Sequence, residues 1–196
     1  MAKGGTPFNK FFSDFWDDAN KKIVPEQLIV AELFFNSLKR EVIEKIRNTD
    51  VAQELANHTT PSAILGTPGS LFGFLGLIEG QDPVNEIIAI FENVMSFRIS
   101  RRLKTGGIKL TIKVPDLKDF RENDLILPWQ GGYSVVDAIE KGLSGLENYI
   151  AAKNLSYSRS GDGIQVKQTV RWGSFRGVKW ISPILDEVKA RAKTFR

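Results

Sequence analysis

The sequence predicts an α+β domain, with a long N-terminal helix and two further helices packed on a small antiparallel sheet. Two observations lead to this fold class. Residues 26–57 contain neither Gly nor Pro and repeat apolar residues at helical spacing. Residues 95–114 alternate apolar and polar side chains on both sides of Gly106-Gly107, which is typical of a β-hairpin. We expect an aromatic arm at residues 1–24 and a single domain at residues 25–196, since a chain of 196 residues fits one domain.

The composition excludes several classes of chemistry. The chain has no Cys and a single His, His58, which excludes disulfide scaffolds, thiolate metal sites, cysteine nucleophiles and all-His zinc sites. No Gly-x-Ser-x-Gly occurs, and the Gly66–Ser70 segment lacks the Lys of a phosphate-binding loop. We therefore expect no catalytic residue, no metal and no cofactor. No long apolar run and no secretory signal is present, so we expect an intracellular protein without membrane contact.

The expected arm is aromatic. Five aromatic residues recur at spacings of three and four, which places them on one side of a short helix: Phe8, Phe11, Phe12, Phe15 and Trp16. So much aromatic surface is unfavourable in water unless polypeptide covers it. We expect the arm to dock on another subunit, because Pro25 separates it from the main helix. Packing of the arm on its own domain is the alternative.

The main helix is expected to begin at Pro25, since Pro suits the first helical turn. Six apolar residues at helical spacing form the stripe that we expect to face the core: Leu28, Ala31, Phe34, Leu38, Val42 and Ile46. We expect a break near Asn48–Thr49. His58, at the end of this stretch, is expected to take part in a C-terminal cap.

Residues 59–83 mix turn residues with large apolar side chains. A loop of this length is usually functional or mobile. We expect four of its apolar residues to pack against a partner subunit: Leu71, Phe72, Phe74 and Leu75. Burial within the chain is the main alternative, and shallow membrane insertion is a third, less favoured one. Asp82 and Pro83 then predict an N-cap and the first position of a short helix.

One face of the expected hairpin is apolar and the other is cationic. Six basic residues on the hairpin and in a later loop are candidates to face DNA or an acidic partner: Arg98, Arg101, Arg102, Lys104, Lys109 and Arg159. A solvated sheet face explains the same residues without a ligand. Because stacking aromatic residues do not interleave with these charges, we expect no sequence-specific recognition of DNA.

The C-terminal half adds two expected helices and an excess of positive charge. Ser134 precedes an apolar stripe at helical spacing that continues to Ile150, with Gly142 and Gly145 inside it. Each internal Gly costs about 1 kcal/mol relative to Ala, which suggests close backbone packing. A last strand or strand pair follows, and a closing helix begins near Trp180. Residues 151–196 contain ten Lys or Arg and three Asp or Glu, which suits an acidic partner or the acidic part of a neighbouring copy.

Several segments resemble structural proteins of tailed-bacteriophage virions. The segments that carry this resemblance are Leu127-Pro128-Trp129, Gly142-Leu143-Ser144-Gly145-Leu146 with Tyr149, Ser158–Gln165, Arg171 with Phe175, and Ile181-Ser182. The stretch from Leu71 to Pro83 also resembles an apolar, Gly-rich loop of that family. The order of elements is similar to that of phage neck and tail-completion proteins. The aromatic arm is not part of the resemblance.

The resemblance implies a virion protein, made in the host bacterial cytoplasm, that forms a homo-oligomeric ring at the head–tail junction without catalysis. Such a head–tail connector, tail-completion or tail-terminator subunit would contact other virion proteins, such as a connector or adaptor and the tail tube or sheath. Non-specific contact with DNA in the lumen would accompany these interactions. Two alternatives stay open: a basic nucleic-acid-binding or DNA-handling module, and a baseplate or tube-initiation component.

Overall fold

A computed structural model of the chain describes residues 7–58, 61–101, 108–120, 125–127, 133–151, 156–160, 163–170 and 174–194. For residues 7–24, 101, 108–109 and 194 it describes the backbone alone. The predicted α+β class is confirmed. Within the described ranges there are six α-helices and three two-stranded antiparallel sheets, instead of the one small sheet that was expected.

The elements follow one another along the chain as helices first and short strands later. The helices are α1 (Pro7–Arg47), α2 (Asp50–Asn57), α3 (Leu71–Phe74), α4 (Pro83–Val94), α5 (Val135–Lys141) and α6 (Ile181–Thr194). The strands are β1 (Ser96–Arg101), β2 (Ile108–Lys113), β3 (Gly142–Leu143), β4 (Tyr149–Ala151), β5 (Gly163–Gln165) and β6 (Phe175–Arg176). They pair as β1 with β2, β3 with β6, and β4 with β5.

Helix α1 continues through Pro25, so the prediction that the main helix begins at Pro25 is wrong. Proline removes one backbone donor, but its fixed φ is compatible with a helix. The predicted break at the other end is confirmed, because α1 ends at Arg47 and the Thr49 hydroxyl caps α2 by accepting from the Ala52 N–H at 3.2 Å. His58 ends α2 with a left-handed φ of 48°, and its backbone N–H donates to the Glu54 carbonyl.

The core is built around one side of α1. Its buried residues are Ala31, Phe35, Leu38, Val42 and Ile46, and the helix packs against α2, α4, α6 and β2. Phe35 packs against Phe97 of the hairpin, with ring centroids 4.6 Å apart and the ring planes tilted by 40°. The predicted stripe is therefore nearly right, except that Leu28 is partly exposed and Phe35 takes the place of Phe34 at the centre.

The apolar middle of the Gly-rich segment lies inside the molecule, which corrects the expectation that it packs against a partner subunit. Leu71, Phe72, Phe74 and Leu75 are completely buried by the chain itself. Buried Glu54 fixes the loop before them, since its carboxylate accepts hydrogen bonds from the Ser62 hydroxyl and from the Ala63 and Ile64 N–H groups. Ser70 then caps α3 by accepting from the Gly73 N–H. The alternative interpretation, burial within the chain, is the correct one.

The hairpin strands lie where the alternation predicts them. Ser96 faces Lys113, and Arg98 faces Thr111 across the pair. Ser96, Arg98, Thr111 and Lys113 are exposed, whereas Phe97 and Ile112 pack against the core. The expected turn at Gly106-Gly107 lies outside the described residues.

Helix α5 is shorter than the apolar pattern indicates. Ser134 caps it as predicted, by accepting from the Asp137 N–H at 3.1 Å, but the helix ends at Lys141 instead of Ile150. Gly142 leaves the helix with φ of +81°, and a Cβ there would collide with the backbone of β6. The predicted close packing at this glycine is confirmed, and the same contact ends the helix.

Tyr149 joins the Gly-rich segment to the C-terminal strands. Its fully buried ring lies where a Cβ on Gly69 or Gly163 would have to be, and it packs edge-on against Phe74 at 5.7 Å. Phe74 also contacts Phe175 of β6. The Gly-rich loop and the two small C-terminal sheets therefore share one aromatic core.

Candidate subunit interface

The most unusual surface of the molecule lies on α1. Ile29, Val30 and Leu33 are 57%, 56% and 64% exposed. Single exposed aliphatic residues are common on proteins, but three within five residues of one helix form a contiguous apolar patch of the kind that marks interaction sites. We call these three residues the outer patch.

The outer patch lies on the side of α1 opposite the core. Successive helix residues are about 100° apart around the axis. On this basis Leu33 points about 160° away from both buried Ala31 and buried Phe35, and Ile29 and Val30 lie on either side of Leu33. At this level α1 therefore has two apolar sides, one that its own domain covers and one that nothing in the described chain covers.

The aromatic positions of the N-terminal stretch are in phase with the outer patch, and Lys22 and Glu26 lie between them on the same side of the helix. Positions 11, 12 and 15 precede positions 29, 30 and 33 by eighteen residues each, which is about five helical turns. Because α1 is one continuous helix, these aromatic positions lie along the same side of the backbone as the outer patch. The side chains of Phe8, Phe11, Phe12, Phe15 and Trp16 themselves lie outside the described part of the structure.

Ion pairs attach the other half of α1 to α6. Arg191 binds Glu41, and Lys45 binds both Glu41, at 3.2 Å, and Glu187. The hydrogen bond from Arg191 lowers the pKa of the Glu41 carboxyl most, and the hydrogen bond from Lys45 lowers it further. The hydrogen bond from Lys45 to Glu187 raises the pKa of Lys45. The outer patch is thus carried by a helix whose C-terminal half is fixed to the domain.

The basic candidates are only partly described. Arg98, on β1, and Arg159, in the 156–160 segment, are both exposed. Arg101 and Lys109 are described by their backbone only, and Arg102 and Lys104 lie outside the described residues. The Arg159 carbonyl accepts from the Glu79 N–H at 3.4 Å, which ties its loop to the Gly-rich segment. The described contacts do not bring Arg98 and Arg159 together.

Sequence reasoning did not assign the outer patch. The apolar stripe toward the core accounted for this part of α1, so Ile29, Val30 and Leu33 received no role. The signal was present: between positions 28 and 33 five of six residues are apolar, which is more than one helix face can hold. Two overlapping apolar stripes on one helix predict that both of these sides of the helix are covered by polypeptide.

No helix among the described residues combines the length and the hydropathy required to cross a bilayer. In the same ranges no group of three or more His, Cys, Asp or Glu is arranged to hold a metal ion.

Comparisons with protein families, with curated proteins and with solved structures give no match for the chain. The resemblance to phage neck and tail-completion proteins therefore stays a prediction.

Proposed function

We propose that the chain is a structural subunit of a tailed-phage virion, which forms a ring at the head–tail junction through contacts between subunits. The observation that carries this proposal is the outer patch on α1. Its three aliphatic residues face away from the domain, and the aromatic positions lie in line with them. The resemblance of the C-terminal segments to virion proteins is the reason for proposing a virion ring as the assembly.

The outer patch provides a driving force for assembly. Complete burial of one Val, Leu or Ile contributes about 1.5–3 kcal/mol, so three such side chains contribute several kcal/mol per copy. In a ring every subunit uses one surface toward one neighbour and a different surface toward the other. Helix α1 suits this arrangement, because one side of it is packed on the α+β domain and the outer patch lies on the other side.

The test is to image purified virions of a phage that encodes the chain, at a resolution that traces side chains. We expect a closed ring of copies at the head–tail junction with the outer patch covered. Absence of the chain from the virions, or a position outside the neck and tail, would contradict the proposal. The comparison of wild-type chain with the Leu33→Glu variant adds a control, since the variant should fold but enter virions poorly.

Exposed Arg98 and Lys113 on the outer face of the hairpin favour a second candidate, a nucleic-acid-binding module. A protein that neutralises several phosphates loses about 10³–10⁵ in affinity for DNA between 50 and 200 mM salt. Titration of duplex DNA at both salt concentrations separates the two functions. A steep loss of DNA affinity with salt would favour the nucleic-acid module, if the Arg98→Gln and Lys113→Gln variants lose less affinity. Weak binding at both concentrations would favour the ring subunit.

A further inference from the structure

The geometry of α1 points to a specific partner for the outer patch: we propose that it packs against the same patch of other copies, in a parallel bundle of three or more α1 helices. This inference rests on the proposed function in one respect only, the cyclic arrangement of subunits. It adds the surface, the orientation of the helices and the minimum number of copies.

The width of the apolar side sets the number of neighbours. Ile29 and Val30 are consecutive and lie about 100° apart around the axis, and Leu33 lies between them. The seam of a two-stranded coiled coil is narrower, since it consists of the two core positions of the heptad only. An apolar side of this width is covered when each helix has two neighbours, one against Ile29 and the other against Val30.

The orientation follows from how the apolar positions match between copies. In a parallel bundle the aromatic positions 8–16 of all copies lie at one level, and the outer patches lie at another. The outer side of α1 becomes polar after Leu33, with exposed Ser37 and Arg40. The helices can therefore separate at this point, where the domains begin, and the domains then lie side by side as in a ring.

An interface along α1 reaches the area of a stable complex if it includes the aromatic positions. A buried aromatic side chain contributes about 150–250 Å², so five such residues would supply on the order of 1,000 Å² per copy. A standard protein interface needs roughly 800 Å² per partner. Away from the aromatic positions α1 carries both signs of charge, at Lys10, Asp14, Asp17 and Lys21. Both signs also occur on the outer side, at Lys22 and Glu26. This pattern favours protein over a membrane surface, because interfacial helices carry mainly Lys and Arg on their polar side.

The chain contains no Cys, so single cysteines can report the arrangement directly. Positions 19, 26 and 33 are seven residues apart and follow one line along the outer side of α1. We would prepare Ala19→Cys, Glu26→Cys and Leu33→Cys in the full-length chain. Glu32→Cys is the matched control, because Glu32 is also exposed at the same level but lies on another side of the helix.

In a parallel bundle, mild oxidation should join two chains through identical positions in all three outer variants and not in the control. Native mass spectrometry of the reduced proteins should show three or more copies. Cross-linking at only one of the three positions would indicate antiparallel helices. Antiparallel helices would overturn the proposal. So would a dimer in the mass spectrum or a monomer at high protein concentration. A monomer that binds anionic phospholipid vesicles would overturn it as well.

The outcome is separable from that of the proposed function. If the bundle forms but virions lack the chain, the virion function fails and the bundle stands. If imaging shows the chain as a ring in virions and the three cysteines do not cross-link, only the bundle fails.

Discussion

Glu140 connects two helices through one buried carboxylate. Its oxygens accept hydrogen bonds from the Ser182 hydroxyl, from the Ser182 N–H at 2.6 Å and from the Trp180 N–H at 3.3 Å. These donors lie at the N-terminus of α6, where backbone N–H groups have no partner within the helix and favour negative charge. A carboxylate on α5 thus supplies the cap that the sequence next to α6 does not.

We expect Glu140→Ala to lower the free energy of unfolding by about 1–3 kcal/mol, because buried donors lose their acceptor. Glu140→Gln should cost less, since the amide oxygen still accepts. Chemical denaturation followed by circular dichroism measures both, with exposed Glu44→Ala as the control. Equal stability of Glu140→Ala and the control would contradict the capping role.

Gly69 is required for steric reasons. A Cβ at this position would lie 2.9 Å from the Tyr149 hydroxyl oxygen and closer still to the ring. We expect Gly69→Ala to cost about 1–3 kcal/mol of unfolding free energy, as overpacked cores do. A double-mutant cycle with Tyr149→Leu should show that the two substitutions are not additive, because the smaller side chain makes room. Gly66→Ala, with open space around the Cβ, should be additive with Tyr149→Leu.

At the scale of elements, the contact between α1 and α6 should depend on pH. The lowered pKa of Glu41 in the folded state means that its pairs with Arg191 and Lys45 stabilise the fold above the ordinary carboxyl pKa. This contribution is lost as the pH falls through the lowered pKa. The raised pKa of Lys45 acts in the opposite sense, since its contribution is lost only as the pH rises above the ordinary lysine range.

We therefore expect the melting temperature to decrease between about pH 5 and pH 3, and Glu41→Gln to decrease less over the same range. Added salt should reduce the difference in melting temperature between the wild type and Glu41→Gln, because the ion pairs of Glu41 are at the surface. Differential scanning calorimetry at several pH values measures this effect. Parallel pH profiles for the wild type and Glu41→Gln would show that the pairs contribute nothing.

For the whole molecule, assembly and stability should be separable. Ile29→Ser with Leu33→Ser changes only exposed side chains, so we expect unfolding to change by less than about 0.5 kcal/mol per site. The same pair should abolish self-association in analytical ultracentrifugation. Leu38→Ala, on the buried side of the same helix, should cost about 2–5 kcal/mol. Loss of folding in the double Ser variant would show that the outer patch belongs to the core.

Features that depend on neighbouring residues were predictable from the sequence. The caps at Asp82 and Ser134 are confirmed, because a short polar side chain and the N–H three residues later determine them. The hairpin strands, which the alternation alone predicts, are confirmed as well. The segment with Leu71 and Phe74 was misassigned, because burial depends on distant residues such as Tyr149 that cover it. The end of α5 was missed for the same reason, since β6 contacts Gly142 from far along the chain.

The candidate site was predictable only in part. The aromatic positions were identified and given a docking role, which stays a prediction. Their continuity with Ile29, Val30 and Leu33 was hidden by the assumption that Pro25 ends the first helix. A proline in a helix interior usually does break it, and only the surrounding structure determines whether it does.

The continuity of α1 makes the length of the chain around Pro25 significant. Deletion of one residue, such as Gln27, would rotate everything before it by about 100° relative to the domain and shorten the helix by about 1.5 Å. The aromatic positions would then point to a different side although every residue type was retained. Removal of seven residues would nearly restore the phase. Natural variants of this protein should therefore change length here by numbers of residues that keep the phase, such as about seven, eleven or eighteen. The aromatic positions and the outer patch can meanwhile vary among apolar residue types.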